Sequence, residues 1–437
     1  MVDLIFMTTK TENKIWNEKL GQEALARDAL KDVRSCAWQR FEESGFPSLK
    51  DESWRYTSTA FVASNSFQFA GLPKPDARTL DHLRARFESF KQSARLVFLD
   101  GWFVPQLSDL LPIAENVDFS NMRDLSANRP HALLIDSQKL TGFSALNAAL
   151  FQDGVWLNVR EGAQPKATLL IYSLQTSLEQ NQTTQIRNMI SLGAGAALKI
   201  VEWNDHLNGV ASFINHETQI QLAPSALLEH LRLQQAGDGA WLRNASVVTL
   251  AEKSHYQRLD FEAGARVARN EINVHFSGEG SVCSLQGIGL GCGARHLDTQ
   301  VMMNHSIPEA SSSQVYRNLL SGQSRGVFGG SVRVHKDAQK TDASQVHKTL
   351  LLSDEARADT KPQLEIDADD VKCSHGAAIG QLDEDSLFYL RSRGISLKSA
   401  ERMLAAGFVE RVLDSISCNS LRDFFKEQLR AELAKLF

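Results

Sequence analysis

The sequence predicts a mainly β protein: a β-solenoid core flanked by N-terminal and C-terminal α-helical segments. Three observations carry this. From about Gly154 to about residue 390, short β-rich runs follow one another without a long helical pattern. Within that stretch a weak repeat of about 30 residues, shrinking slightly along the chain, sets a tight turn before each apolar run. On both sides of it, apolar residues recur instead at spacings of three and four.

Residues from about 10 to 45 read as helix, with Ala26, Leu30, Val33 and Ala37 on one stripe. Gly45-Phe46-Pro47 is a turn signal ahead of the polar-aromatic run Asp51 to Tyr56. Asp81 to Lys91 reads as helix, Val97 to Val104 as a hairpin turning at Asp100-Gly101, and Phe143 to Phe151 as a short helix. Five repeat turns follow. They are Val159 to Ala163, Leu192 to Ala196, Leu222 to Ala226, Leu250 to Ser254 and Phe276 to Gly280, and each precedes an apolar run. A solenoid reads this way because each coil covers the apolar face of the next. A β-sandwich also has short strands and frequent turns and is the alternative. An open solenoid must hide its end edges, and the flanking helices suit that role.

Beyond the β region, Ser396 is a plausible N-cap for a stripe of Leu397, Ala400, Met403 and Leu404 that ends at Gly407. Phe408, Val412, Leu413 and Ile416 form a second stripe. Ser420-Leu421-Arg422-Asp423 resembles a capping box opening a third helix. These patterns divide the chain into an N-terminal, mainly helical domain (1–153), a β core (154–392) and a C-terminal helical segment (393–437).

The 437 residues carry a net charge of −5 and no long basic block, which argues against nucleic acid or anionic membrane as main partner. No run approaches the ~20 apolar residues a membrane helix needs. Met1 to Thr9 lacks a basic start and a cleavage-like site, so no export signal is expected. The five scattered cysteines and the absence of CxxC fit a reducing cytoplasm rather than a disulfide framework or a self-contained metal site. There is no phosphate-binding loop, so any nucleotide energy must come from another subunit.

Cys373 and His375 are the most informative pair. On a strand they share a face, and thiolate beside imidazole suits iron, zinc or copper. Two ligands do not complete a site. A packed cysteine beside an exposed histidine is the plainer reading of the spacing. His296, His305, His335 and His347 read as hydrogen-bonded structural histidines, with His296-Leu297-Asp298 as a possible ligand and its supporting carboxylate. Cys283 and Cys292 read as packed thiols. Asp367 and Asp369 would share a strand face, an arrangement for acid–base work on a sugar, or simply a solvated edge. The C-terminal stripes either pack on the β core or dock a partner.

Several motifs resemble one known family in order along the chain. They are His296-Leu297-Asp298, Ser313-Gln314-Val315-Tyr316-Arg317, Gly326-Val327-Phe328-Gly329-Gly330, Ala338 to Ala343, Leu350 to Ser353, Lys361 to Ile366 and Val371 to Ala377. Lys50 to Thr57 adds a weaker match. Together they resemble the SufB/SufD family of iron–sulfur cluster assembly proteins. The form Val371-Lys372-Cys373-Ser374-His375-Gly376-Ala377, followed by Gly380-Gln381-Leu382-Asp383, is most like the SufD branch. The resemblance implies a right-handed parallel β-helix and a non-catalytic scaffold subunit of the SUF system. It implies pairing with a SufB-type paralogue, and docking of the SufC-type ATPase by residues 393–437 through Met403, Leu404, Phe408 and Val412. It implies a transient iron–sulfur cluster shared with SufB, with His375 and Cys373 as ligands, and leaves room for a reduced flavin in the complex. A homodimer is expected when the partner is missing. A SufB-like sulfur acceptor using Cys283 or Cys292, and a carbohydrate-active enzyme using Asp367 and Asp369, are the competing readings.

Overall fold

The computed structural model describes residues 30–128, 136–176 and 179–437; the part of the first expected helix before residue 30 lies outside them. The β region is a solenoid of about eight turns built from two ten-stranded sheets. Successive strands alternate between the sheets, so Gln182–Leu192, Ser212–Leu222 and Ala240–Leu250 neighbour one another in the first. Ala197–His206, Leu227–Gln234 and His255–Glu262 do so in the second. Pairing is parallel except at the N-terminal end, where Ala94–Leu99 meets Trp102–Phe103 and Val117–Asn121 meets Val155–Val159 antiparallel. The expected Asp100-Gly101 hairpin turn is there, with φ of 49° and 87°.

The coil length does not shrink throughout. Ser212 pairs with Gln182 and Ala240, separations of 30 and 28 residues, and Trp241 with Val267, a separation of 26. Arg325 then pairs with Arg357, 32 residues on. Later coils lengthen where they insert residues at turns: 335–341 join two strands where 251–254 suffice earlier.

Each coil turns one corner on a residue in the left-handed region. Gly162, Gly195, Ser225, Lys253, Gly280, Glu309 and Lys340 stack there with φ between 55° and 68°. The N–H groups of Gly195, Ser225 and Lys253 donate to Pro224, Glu252 and Glu279 of the next coil, which ties the corners together. Beside this stack the backbone packs too closely for a side chain at Gly278: a Cβ there would lie 2.0 Å from the Glu252 nitrogen. Gly278→Ala is expected to lower stability by roughly 1–3 kcal/mol, read as the urea midpoint. Gly280→Ala, open but left-handed, should cost only about 1 kcal/mol.

Leu192, Leu222, Leu250, Phe276, His305 and Val334 are in register and line the lumen. Tyr256 and Cys283 face them from the second sheet. The outer face of the second sheet is also apolar. Val201, Trp203, Leu231, Leu259 and Phe261 pack there against Val409, Leu413, Phe424, Phe425 and Leu429 of the C-terminal helices. On the outer face of the first sheet, helix Gly142–Leu150 seats Phe143 between Trp54 and Trp241, at ring distances of 5.1 and 5.2 Å.

Three local expectations change. Helix Leu397–Glu410 runs through Gly407, because Ala405 and Val409 on either side are buried and their packing outweighs the local stop signal. The last helix, Asn419–Leu436, is preceded by Cys418 at its N-cap rather than by Ser420. Asp367 and Asp369 sit exposed in the turn between Arg357–Ile366 and Lys372–Gly380, not together on a strand face.

Candidate functional site

The two sheets end in strands Arg357–Ile366 and Lys372–Gly380. Among the described residues each pairs on one side only, with Arg325–Val334 and Asp342–Leu351. This end of the solenoid is therefore an open edge, in contrast to the other end, where N-terminal strands extend both sheets. Ile366 and Ile379 on these strands are 40% and 44% exposed.

Register fixes where Cys373 and His375 lie. Cys373 aligns with Ala343, Ser312 and Cys283, and His375 with Gln345 and Gln314. Those partners are buried in the lumen. Cys373 and His375 are thus the outermost members of two lumenal columns, brought to the surface by the end of the sheet. Cys373 is half-buried and packs on the core, and burial raises its thiol pKa. His375 is exposed. The pair remains two ligands: among the described residues no three His, Cys, Asp or Glu side chains gather as a metal site.

The other expected residues stay apart. His296 Nε2 lies 2.8 Å from Thr57 Oγ1, whose own proton goes to Asp298 at 2.5 Å, so His296 is the donor to Thr57. Asp298 also pairs with Arg269, which sits 3.7 Å from the Trp54 ring centroid. This set clips the segment around Trp54 to Thr57 onto the solenoid. His305 stacks on Phe276 and bonds Ser312, His347 stacks on Phe328, and His335 bonds Asn304. Cys283 is fully buried and Cys292 half-buried against the C-terminal helices; burial raises both thiols. A wide groove runs between Glu52 and Tyr56 and the outer face of the first sheet, over Gln300, Met302 and Lys361, away from Cys373.

Of the C-terminal positions, Met403 is 53% exposed, Leu404 and Phe408 are half-buried, and Val412 is 3% exposed inside the helix–sheet packing. Val412 thus holds the segment down rather than presenting a surface. Arg317 stacks on the Phe408 ring at 5.1 Å and donates to its carbonyl. Helix Glu384–Ser392, which follows the Cys373–His375 strand, presents a further surface. Asp383 caps helix Glu384–Ser392, accepting from Ser386 N–H at 2.9 Å. On that helix Phe388 and Tyr389 are 75% and 57% exposed while Leu387 and Leu390 are half-buried. Two adjacent uncovered aromatics on a capped helix are an unusual use of apolar area.

Comparison with known proteins agrees with this architecture. Residues 174–408 match the family model for the SufBD core domain of SUF-system FeS cluster assembly, and residues 17–171 match that for the SufBD protein N-terminal region. The iron–sulfur cluster assembly protein SufD of Escherichia coli K12 is 30% identical over 91% of this chain and 90% of its own length. A SufBD family protein of Synechocystis is 28% identical over 86% of this chain and 85% of its own, and the chloroplastic protein ABCI7 of Arabidopsis thaliana 27% over 92% and 86%. With both family models matched in order along the chain, it belongs to the SufBD family of iron–sulfur cluster assembly proteins.

Proposed function

We propose that this chain is a non-catalytic scaffold subunit of a cytoplasmic SUF assembly complex. A SufB-type paralogue seats against the open end of the solenoid, pairing with its two terminal strands. His375 and Cys373 then supply two ligands to the iron–sulfur cluster being assembled, and the paralogue supplies the rest. The cluster is the cargo of the complex. A SufC-type ATPase docks on the exposed side of helices Glu384–Ser392 and Leu397–Glu410 through Phe388, Tyr389, Met403, Leu404 and Phe408.

The observation that carries this reading is the uncapped last coil, with a thiol and an imidazole side by side on it. An unpaired edge with exposed isoleucines calls for a partner strand, and an incomplete ligand pair there calls for a partner's ligands. The sulfur-acceptor reading fits less well. The thiolate is the nucleophile, and burial holds the Cys283 and Cys292 thiols protonated. The carbohydrate reading loses its carboxylate pair to a solvated turn.

Co-expression with SufB-type and SufC-type proteins and affinity capture tests the reading. The wild-type chain should retain both, and a chain that retains neither sinks it. Phe388→Ala with Tyr389→Ala should keep the paralogue and lose ATPase retention by more than tenfold, since each aromatic buried on docking is worth about 1.5–3 kcal/mol.

A further inference from the structure

The lumen of the solenoid is not uniformly apolar. Alternating positions of the second sheet send Glu202, Arg232, Asp260 and Glu262 inward, while Leu231, Leu259 and Phe261 between them face outward under the C-terminal helices. Arg258 holds Asp260 with bonds of 2.8–3.0 Å, and Arg232 pairs with Glu262. Opposite them the first sheet sends in His216, Asn244 and Asn270, which are in register. All of these are at most 6% exposed.

Many of their polar atoms find no partner among the described residues. The donors are Arg232 Nε and Nη2, Asn204 Nδ2 and Asn270 Nδ2; the acceptors include Glu262 Oε2 and Asn244 Oδ1. Two coils further, the Tyr316 hydroxyl is orphaned although Tyr316 is 3% exposed. Between Glu262 and Tyr316 a small void is lined by Asp260, Gly287, Gly289 and Asn318. The two glycines shape it. A Cβ on Gly287 would lie 2.3 Å from the Tyr316 ring, and one on Gly289 would lie 2.4 Å from Asn318 Oδ1. So large a set of unpaired buried groups would cost the fold dearly if left dry.

We propose that the lumen binds ordered water, with a site for one molecule between Glu262, Tyr316 and Asn318 beneath Gly287 and Gly289. Charge and hydrogen-bond character select the ligand. Glu202, Asp260 and Glu262 face Arg232 and Arg258, and Glu202 also lies 3.2 Å from His230, so the charges are nearly matched and neither a free anion nor a free cation is favoured. Orphan donors and acceptors are interleaved, and water supplies both. The site is polar and roomy enough for a molecule with two to four partners. Unpaired atoms also occur on Gln314, Gln345 and His347, in the coils between this site and the His375 strand.

Tyr316→Phe separates a wet lumen from a dry one. In a dry lumen it deletes an orphan hydroxyl and should raise the melting temperature. In a wet one it deletes a bridging partner, so the melting temperature should stay level or fall. Oxygen-17 relaxation dispersion of water on the full chain should report several long-lived waters and lose about one in Tyr316→Phe. Tyr316→Phe adds no volume, so crowding of the site cannot explain its result. A raised melting temperature with no lost water overturns the proposal. So does stabilisation by chloride at constant ionic strength, which would put an anion in the site.

Discussion

Replacing His375 by alanine is expected to leave the fold intact and to stop cluster build-up on the assembled complex. The side chain is exposed on an edge strand, so its loss should change stability by no more than about 0.5 kcal/mol. Cluster affinity should fall far more. Removing even a supporting partner of a metal ligand costs about 10–100-fold, and a ligand at a two-ligand edge has no substitute nearby. Anaerobic reconstitution with iron and sulfide, followed by bound metal and visible absorbance, reads the effect. Complex formation serves as the control, because strand pairing uses backbone groups that the substitution leaves alone. Cys373→Ser should behave similarly but with a small stability cost, since Cys373 packs on the core. Undiminished cluster content in His375→Ala would remove this residue from the site.

The corner repeat was legible because left-handed turns favour particular residues. Gly162, Gly195 and Gly280 mark their coils, and Ser225 and Lys253 follow in phase. Glu309 and Lys340 make the same turn without a glycine, so the last coils went unmarked. Cys373 and His375 were visible as a pair, since strand periodicity is local. Their place on an open edge was not, because it depends on which strand pairs with which. The exposure of Phe388 and Tyr389 could not be read from the sequence, because it depends on which side of their helix is packed. Only the packing of Leu387 and Leu390 shows which side is left bare. The charged lumen was hidden for a different reason. Strand His255–Glu262 is buried on both faces, so its alternation could not say whether Leu259 and Phe261 or Arg258 and Asp260 pointed inward. The C-terminal helices settle this by covering the apolar side.

That inward polarity carries a consequence for acid stability. His216, His305 and His347 all sit in the lumen, at most 2% exposed, and burial lowers each pKa from 6.5 to about 4. The folded protein therefore keeps them neutral while the unfolded chain protonates them. Between pH 6.5 and 4 the unfolded state binds more protons, so stability is full above pH 6.5 and is lost as pH falls. At pH 5 each histidine costs about 2 kcal/mol, roughly 6 kcal/mol together. Asp153 works the other way. Burial raises its pKa to about 6, so the folded state holds a proton that the unfolded carboxylate has given up, returning about 1 kcal/mol at pH 5. The net loss from these four groups between pH 7.5 and pH 5 is then roughly 5 kcal/mol, and buried His230 and His296, also lowered, act in the same direction, before Glu202 and Glu271, both held at about 2, add their own loss below pH 4.5. Urea midpoints at the two pH values measure it. His347→Phe preserves the stack on Phe328, at 4.5 Å in the native protein, and removes one titrating group, so its acid loss should be smaller by about 2 kcal/mol. An equal midpoint at pH 7.5 and pH 5 would mean that these imidazoles titrate alike in the folded and unfolded states, and would overturn the assignment of the acid loss to their burial.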